Sequence, residues 1–297
     1  MTRLPQVPAV RCVLEAQALV GECPRWHPTE QVLYWVDIYK PSLNRFDPAT
    51  GHNESWRMSE RIGCFGFRRS GGLIAGMQSG IYFIDIADDI ALRRVFEFEP
   101  SNPESRFNDG RCDPGGRFWA GTLVESLDQR AGIMYRFDPD GSCRRMIDGL
   151  ICPNGLAFSP DARTLYHSDS RQDYVFAWDF DQQTGEISNQ RVFLAIDIQE
   201  GRPDGAAVDS EGYYWICHVG GWHIARYSPE GKIDCVIGIP VQRPTMCAFG
   251  GENLDVLFIT TARYPLSQTM LRKQPLAGNL FSIQVGIRGL PEPFFAG

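Results

Sequence analysis

Apolar and polar positions along the chain follow one pattern that recurs six times. In each copy an apolar or aromatic residue stands four positions after a variable first residue, a polar turn follows, and a second apolar run comes next. The intervals between copies are 41, 45, 46, 50 and 41 residues, and the copies begin at Glu22, Gly63, Asn108, Asn154, Asp204 and Thr245. Short strands repeated roughly every 40 to 50 residues are typical of propeller blades. The pattern therefore predicts an all-β, six-bladed β-propeller with four-stranded antiparallel blades.

Each copy also carries a third apolar segment. These segments begin near residues 42, 81, 133, 174, 223 and 279, and several end in Asp-Pro or Pro-x-Gly turn signals. The copies that start at Glu22 and Asn154 align residue for residue, and Asp37 falls at the same phase as Asp169. We therefore expect three strands of every blade to follow directly from the repeat.

The last copy lacks a good fourth strand, because residues 288–294 contain two prolines. Residues 11–17 precede the first copy and can supply that strand instead. Such pairing would close the ring and remove an exposed sheet edge. Since the six copies leave no room for a linker, we expect residues 1–297 to form a single domain.

Composition narrows the class of partner. The net charge is −7 and no Lys- or Arg-rich run occurs, which argues against nucleic acid and anionic membranes as ligands. Residues 1–8 lack the apolar core of a signal peptide, and no stretch of about 18 apolar residues occurs, so a cytoplasmic location is expected. The nine cysteines show no CxxC spacing, and most of them are expected to be reduced. We expect a small-molecule ligand; the sequence does not indicate an oligomeric state.

The first residues of the copies carry the candidate chemistry. Equivalent positions on successive blades converge around the axis of a propeller. Glu22, Asn154 and Asp204 would bring two carboxylates and an amide carbonyl together there, with Asn108 beside them. Such oxygen donors suit Ca²⁺, Mg²⁺ or Mn²⁺ and are acceptable to Zn²⁺ or Fe²⁺. The sequence predicts one divalent metal ion of unspecified identity, with positions open for water and substrate.

A second interpretation of these residues is local. Asn154-Gly155, Asp204-Gly205 and the Asn-Asp-Gly that begins at Asn108 are also ordinary turn sequences. Glu22 is followed by Cys-Pro and needs another explanation. Because all four residues share one phase of the repeat, a common axial site is favoured over four separate turns.

Several motifs together resemble one known family. They are Gly21-Glu-Cys-Pro-Arg-Trp, Arg106-Phe-Asn-Asp-Gly-Arg-Cys-Asp-Pro, Pro153-Asn-Gly-Leu-Ala-Phe-Ser, Pro203-Asp-Gly-Ala-Ala-Val-Asp and Phe249-Gly-Gly. In this order they resemble the gluconolactonase / senescence marker protein (regucalcin) family, from about residue 15 to the C-terminus. The resemblance implies a six-bladed propeller and a metal-dependent hydrolase that acts on sugar-acid lactones.

The resemblance also implies residue roles. Glu22, Asn154 and Asp204 would be the metal ligands, and Asn108 would lie beside the metal, in contact with substrate or a bound water. Arg106 would bind sugar hydroxyls or the lactone oxygen. Glu125 matches an acidic substrate-contact position only to within one residue. Many relatives have Gly at the position next to Glu22, where this chain has a cysteine.

The function expected from these observations is hydrolysis of a pentono- or hexono-lactone to the aldonic acid, a reaction of the carboxylic ester hydrolase class. In this hypothesis the metal polarises the lactone carbonyl and activates water. Asp204 would be the catalytic general base, with a metal-activated hydroxide as the variant. Two alternatives stay open: a calcium-dependent esterase or organophosphate hydrolase of the same fold, and a non-enzymatic calcium-binding scaffold.

Overall fold

The computed structural model describes residues 9–87, 89–98 and 104–297. Within these ranges 24 strands form six four-stranded sheets, and the predicted all-β, six-bladed propeller with antiparallel blades is confirmed. A 3₁₀-helix (Ile198–Glu200) and one short α-helix, α1 (Gln268–Lys273), lie in loops. No helix of the described residues is long and apolar enough to cross a membrane.

The strands follow in chain order after β1 (Arg11–Leu14). Blade 1 consists of β2 (Gly21–His27), β3 (Val32–Asp37), β4 (Ser42–Phe46) and β5 (Asn53–Arg57). Blade 2 consists of β6 (Ile62–Phe67), β7 (Leu73–Met77), β8 (Gly80–Ile86) and β9 (Ile90–Glu97). Blade 3 consists of β10 (Ser105–Cys112), β11 (Phe118–Val124), β12 (Gly132–Phe137) and β13 (Cys143–Leu150).

The second half of the chain repeats this order. Blade 4 consists of β14 (Pro153–Phe158), β15 (Thr164–Asp169), β16 (Tyr174–Phe180) and β17 (Ile187–Ala195). Blade 5 consists of β18 (Arg202–Val208), β19 (Tyr214–Val219), β20 (His223–Tyr227) and β21 (Ile233–Gly238). Blade 6 consists of β22 (Pro244–Gly250), β23 (Val256–Thr261), β24 (Leu280–Gln284) and β1. The predicted third strands are confirmed as β4, β8, β12, β16, β20 and β24.

The ring closes through the N-terminal strand, as the sequence predicts. β1 pairs antiparallel with β24, and Arg11 lies opposite Ser282 while Cys12 lies opposite Phe281. The innermost strands contact one another in a full circle, from β2 through β6, β10, β14, β18 and β22 back to β2. The last sheet therefore has no unpaired edge at β24.

Burial falls from the axis outward. β6, β14 and β22 are buried along their whole length, because neighbouring blades cover both of their faces. The outermost strands β9, β17 and β21 are mostly exposed. Side chains between adjacent sheets form the apolar core, in which Trp119 and Trp215 are fully buried. All nine cysteines are free in the structure.

Every innermost strand is interrupted at the first residue of its sequence copy. The register with the next strand shifts between Glu22 and Arg25 in β2 and between Asn154 and Ala157 in β14. Equivalent shifts occur in β6, β10, β18 and β22. Such bulges redirect side chains relative to a regular strand. The turn interpretation of Asn108, Asn154 and Asp204 is thus wrong, because all three lie inside strands at bulges.

Candidate active site

All six site residues predicted from the sequence line one cavity of about 1170 Å³. Five of them stand near the beginning of innermost strands, and Glu125 follows directly after β11. The cavity therefore opens at the end of the propeller where the innermost strands begin. The six residues are Glu22, Arg106, Asn108, Glu125, Asn154 and Asp204.

Two buried aspartates hold the loops that lead into β2 and β14. Asp37 accepts hydrogen bonds from the backbone N–H groups of Leu19 and Val20, at 2.8 and 3.1 Å. Asp169 stands at the same phase of the repeat and accepts from the N–H groups of residues 151 and 152, at 2.9 and 3.0 Å. Because both aspartates are buried, they fix the backbone from which the candidate ligands project.

Asn154 is oriented by hydrogen bonds on both ends of its amide. Its Nδ2 donates to Ser170 Oγ at 2.8 Å, and its Oδ1 accepts from Nδ2 of Asn108 at 2.9 Å. Asn108 also donates to the backbone carbonyl of Pro153 at 2.9 Å. An amide oxygen has two lone pairs, so Asn154 Oδ1 keeps one for a further partner.

The carboxylates of Glu22 and Asp204 lie in the same buried region. Burial is the largest cause that raises the pKa of Glu22, and the charge of Asp109 raises it further. Burial also raises the pKa of Asp204 well above its usual range, followed by the charge of Glu22. Among the described residues neither carboxylate has an ion-pair partner, although the more distant charge of Arg243 partly offsets that of Asp204. Two converging, desolvated anions therefore lack a cation at close range.

The sequence did not single out Asp109, which stands behind these carboxylates. Its side chain is 5% exposed, and Oδ2 accepts a hydrogen bond of 2.9 Å from the N–H of Leu156. Its Oδ1 is buried with no hydrogen-bond partner. Asp109 therefore adds negative charge beneath the cavity and links β10 to β14.

The donor set fits a divalent cation. Two carboxylates and one oriented amide oxygen are hard donors, and the raised pKa values of both carboxyl groups show that these groups need positive charge to stay ionised. No group of three or more His, Cys, Asp or Glu side chains in the described part of the chain is placed to hold a metal ion. The amide of Asn154 is thus the third donor of the candidate set, in place of a third acid or histidine.

Arg106 and Glu125 form one side of the cavity. Glu125 accepts hydrogen bonds from Arg106 Nε, from the hydroxyl of Tyr39 and from Arg61 Nη1, the last at 2.7 Å. Burial raises the pKa of Glu125, but the charge of Arg106 and the hydrogen bond from Tyr39 outweigh it and lower the pKa. Arg106 Nη1 also donates to Asn108 Oδ1 at 2.7 Å. This network connects the substrate-contact candidates to the amide pair of Asn108 and Asn154.

Sequence reasoning missed part of the cavity lining. Tyr39, Arg61, Arg171, Arg202 and Arg243 all line the cavity. Arg202 is the first residue of β18, and the other four stand in loops next to strand ends. Arg61, Arg202 and Arg243 each stand two positions before the first residue of a copy, as Arg106 does, so the repeat carried a signal for them that the sequence reasoning did not use. The shared phase of Asp37 and Asp169 was a signal, and it marks the loops that carry Tyr39 and Arg171.

The chain is similar to known proteins in both sequence and structure. Residues 20–263 match the family described as SMP-30/Gluconolactonase/LRE-like region. The chain is 41% identical over 288 residues to a 6-deoxy-6-sulfogluconolactonase of Pseudomonas putida, covering 97% of this chain and 99% of that protein. It is 35% identical over 294 residues to regucalcin of Danio rerio, covering 97% and 98%. A crystal structure of a calcium-binding protein, regucalcin from Agrobacterium tumefaciens, superposes with a TM-score of 0.93 at 26% identity, covering 98% of each chain.

Proposed function

This chain belongs to the SMP-30/gluconolactonase/LRE-like family, and on that premise we propose that it hydrolyses the ester bond of a sugar-acid lactone with the help of one divalent metal ion. The products are the open-chain aldonic acids of pentono- or hexono-lactones. One observation supports this most: two buried carboxylates and an oriented amide oxygen face a large cavity without a cationic partner at close range. The Pseudomonas relative, whose name denotes a lactonase, supports the reaction class.

In this proposal Glu22, Asn154 and Asp204 hold the metal. When bound, a divalent cation supplies Lewis acidity for a carbonyl oxygen and removes the repulsion between the two carboxylates. The hydrogen bond from Asn108 keeps Asn154 Oδ1 directed toward the site, a role that outer partners of metal ligands commonly have. The calcium-binding relative from Agrobacterium supports a divalent ion but does not fix its identity for this chain.

The residues of the cavity wall bind the sugar. Tyr39, Arg106 and Asn108 present polar groups at fixed positions because Glu125 accepts from Tyr39 and Arg106, and Arg106 donates to Asn108. The hydroxyls of the lactone leave these internal hydrogen bonds in place and bind the donor and acceptor groups of the side chains that are still free. The network thereby orients the lactone carbonyl toward the candidate ligands.

Asp204 acts on the attacking water. The carboxylate takes a proton from water as the water oxygen bonds to the lactone carbonyl carbon. The ring C–O bond then breaks, and the proton is returned to the departing ring oxygen, which becomes a hydroxyl. Hydrolysis is thereby balanced, and the product is the aldonic acid.

The cavity wall favours sugars over the aryl esters expected for the esterase alternative. Arginine and carboxylate side chains share the wall with aliphatic residues such as Leu19 and Ile38, and its aromatic surface is limited to Tyr39 and Tyr264. Polar walls desolvate an aryl group poorly but satisfy sugar hydroxyls. The non-enzymatic scaffold alternative predicts that the protein binds metal but hydrolyses no lactone.

The deciding experiment is pH-stat hydrolysis of a panel of aldono-1,4- and 1,5-lactones, with the spontaneous rate subtracted. The protein is assayed as purified, after chelation, and with Ca²⁺, Mn²⁺, Zn²⁺, Mg²⁺ or Fe²⁺ restored. Turnover that is lost on chelation and returns with one ion supports the proposal and identifies the cofactor. Metal binding without turnover of any lactone contradicts it, and aryl-ester turnover alone would support the esterase alternative.

A further inference from the structure

The candidate cavity contains more basic than acidic side chains. Four carboxylates line it, from Glu22, Glu104, Glu125 and Asp204. Five arginines line it, namely Arg61, Arg106, Arg171, Arg202 and Arg243. The whole protein has a net charge of −7, so this local balance is opposite in sign to that of the chain. A bound divalent cation would make the cavity more positive still.

Three of the five arginines have partners. Arg61 and Arg106 both pair with Glu125. Arg202 donates to the backbone carbonyl of Ser170 at 3.0 Å and lies 3.5 Å from a carboxylate oxygen of Asp173. Each of these three guanidinium groups therefore has a carboxylate partner within the protein, although Arg61 and Arg106 share that of Glu125.

Arg171 and Arg243 differ from the others. Among residues 9–87, 89–98 and 104–297 neither guanidinium takes part in an ion pair, and Nε of Arg243 is buried without a hydrogen-bond partner. Burial is the largest cause that lowers the pKa of Arg243; the charge of Asp204 opposes this shift and the charge of Arg171 adds to it. The two guanidinium groups are thus near enough to repel each other, a cost that a bound anion removes.

Their place in the ring sets the two arginines apart from the network around Arg106. Arg171 follows β15 of blade 4, and Arg243 precedes β22 of blade 6, on either side of blade 5. Arg106 lies in blade 3, which stands opposite blade 6 in a closed ring of six. Arg106 and Arg243 therefore line opposite sides of the same cavity.

We propose that the lactone substrate carries an anionic group on its carbon chain, and that Arg171 and Arg243 bind this group. The proposal rests on the lactonase function above. Planar guanidinium groups bind the oxygens of a sulfonate, phosphate or carboxylate in bidentate geometry, and two of them can share one such group. The substrate class is thus an acidic sugar lactone with a charge at the end distant from the scissile ester.

A simpler role for Arg243 is to balance the charge of Asp204. In that case its removal disturbs neutral and anionic lactones alike, because Asp204 serves both. A role in binding an anionic substrate instead changes the preference between them. The ratio of kcat/KM for an anionic lactone to that for a neutral lactone separates the two roles.

The test compares glucono-1,5-lactone with its 6-phospho and 6-deoxy-6-sulfo forms and with glucaro-lactone, all with the metal-loaded protein. We expect at least one anionic lactone to be preferred about tenfold or more. Arg171→Gln and Arg243→Gln should each lower that preference by about tenfold to a hundredfold, mainly through KM, since a charge-assisted hydrogen bond is lost. Arg243→Lys should retain part of it. Arg144→Gln, an exposed position on β13, is the matched control and should leave the ratio unchanged.

The lactone with the highest kcat/KM shows whether the site binds a sulfonate, a phosphate or a carboxylate. An equal or better rate on the neutral lactone, or a ratio unchanged in both glutamine variants, overturns the inference while the lactonase function stands. If no lactone is hydrolysed, the proposed function fails, and calorimetry still decides the inference. Tighter binding of 6-phosphogluconate than of gluconate, lost in Arg171→Gln, supports the anion site, and equal binding of the two overturns it. Arg171 is exposed, so its variant is expected to fold.

Discussion

The side-chain amide of Asn108 in blade 3 donates a hydrogen bond of 2.9 Å to the amide oxygen of Asn154 in blade 4. This bond uses one lone pair of the oxygen and directs the other toward the cavity. Asn108 is itself held by Arg106, which donates to its Oδ1 at 2.7 Å. The orientation of a candidate metal ligand therefore depends on a residue from the neighbouring blade.

Asn108→Ala should consequently weaken metal binding. Loss of an outer hydrogen-bond partner typically costs about 10- to 100-fold in metal affinity. Titration calorimetry with Ca²⁺ and Mn²⁺ measures this, with Asn253→Ala at an exposed position as the control. An unchanged affinity in a folded Asn108→Ala protein would show that Asn154 does not depend on this bond.

Asp204→Ala should abolish both metal binding and lactone turnover. The substitution removes one of two carboxylates from the candidate ligand set and also the proposed base. Asp204→Asn keeps the shape, and if it still binds metal, turnover should fall by about 10²- to 10⁴-fold, since that is the usual contribution of a general base. Asp161→Ala at an exposed position serves as the control. Near-normal turnover in the alanine variant would exclude the mechanism proposed for Asp204.

The sequence predicted the fold because every blade is built from the same four strands and packs against its neighbours in the same way, so the apolar pattern repeats once per blade. The outer faces vary, but each copy places apolar residues between sheets, so β4 and β16 could be identified from their copies alone. Closure by β1 followed from the poor strand after β24. Glu22, Asn108, Asn154 and Asp204 were found because residues at the same phase of the repeat converge at the axis, whereas Arg106 and Glu125 came from the family resemblance; all six line one cavity.

The rest was not visible in the sequence for physical reasons. The bulges that redirect Asn154 and Asp204 depend on the register between two strands, which the same Asn-Gly and Asp-Gly sequences do not specify when they form turns. Arg171 and Arg243 stand at different phases of the repeat, in different blades, and the fold shows that both line one cavity. The charge network around Glu125 likewise joins residues that are 86 and 64 positions away along the chain.

His167 should make the protein sensitive to acid. Its ring is fully buried in β15, stacked on Phe176 with 5.3 Å between ring centroids, and burial lowers its pKa from 6.5 to about 4. Between these values the unfolded chain binds more protons than the folded chain, so stability is complete above about pH 6.5 and falls as the pH drops toward 4. The loss from this residue is at most about 3.4 kcal/mol.

Urea unfolding at a series of pH values measures that slope. His167→Phe should make the slope shallower, whatever its effect on absolute stability, because one titrating group is gone. His218, whose pKa burial lowers to about 3, keeps its own contribution to the slope. His52→Phe, at an exposed position, is the control and should keep the wild-type slope. An equally steep slope in His167→Phe would assign the acid sensitivity to other groups.

Deletion of β1 should open the ring. Arg11, Cys12 and Leu14 pair with Ser282, Phe281 and Leu280 of β24, so removal of residues 1–15 leaves the edge of β24 without its partner. An unpaired edge exposes backbone donors and acceptors to other chains, and we expect a lower thermal midpoint together with concentration-dependent association. Each kcal/mol lost lowers the midpoint by roughly 2–4 °C in proteins of comparable size.

Light scattering and thermal unfolding measure both effects, and deletion of residues 1–8, which keeps β1, is the matched control. A synthetic peptide of residues 9–17 should restore the midpoint, because it supplies the missing strand in trans. A truncated protein that stays monomeric with the wild-type midpoint would mean that β24 does not need this partner.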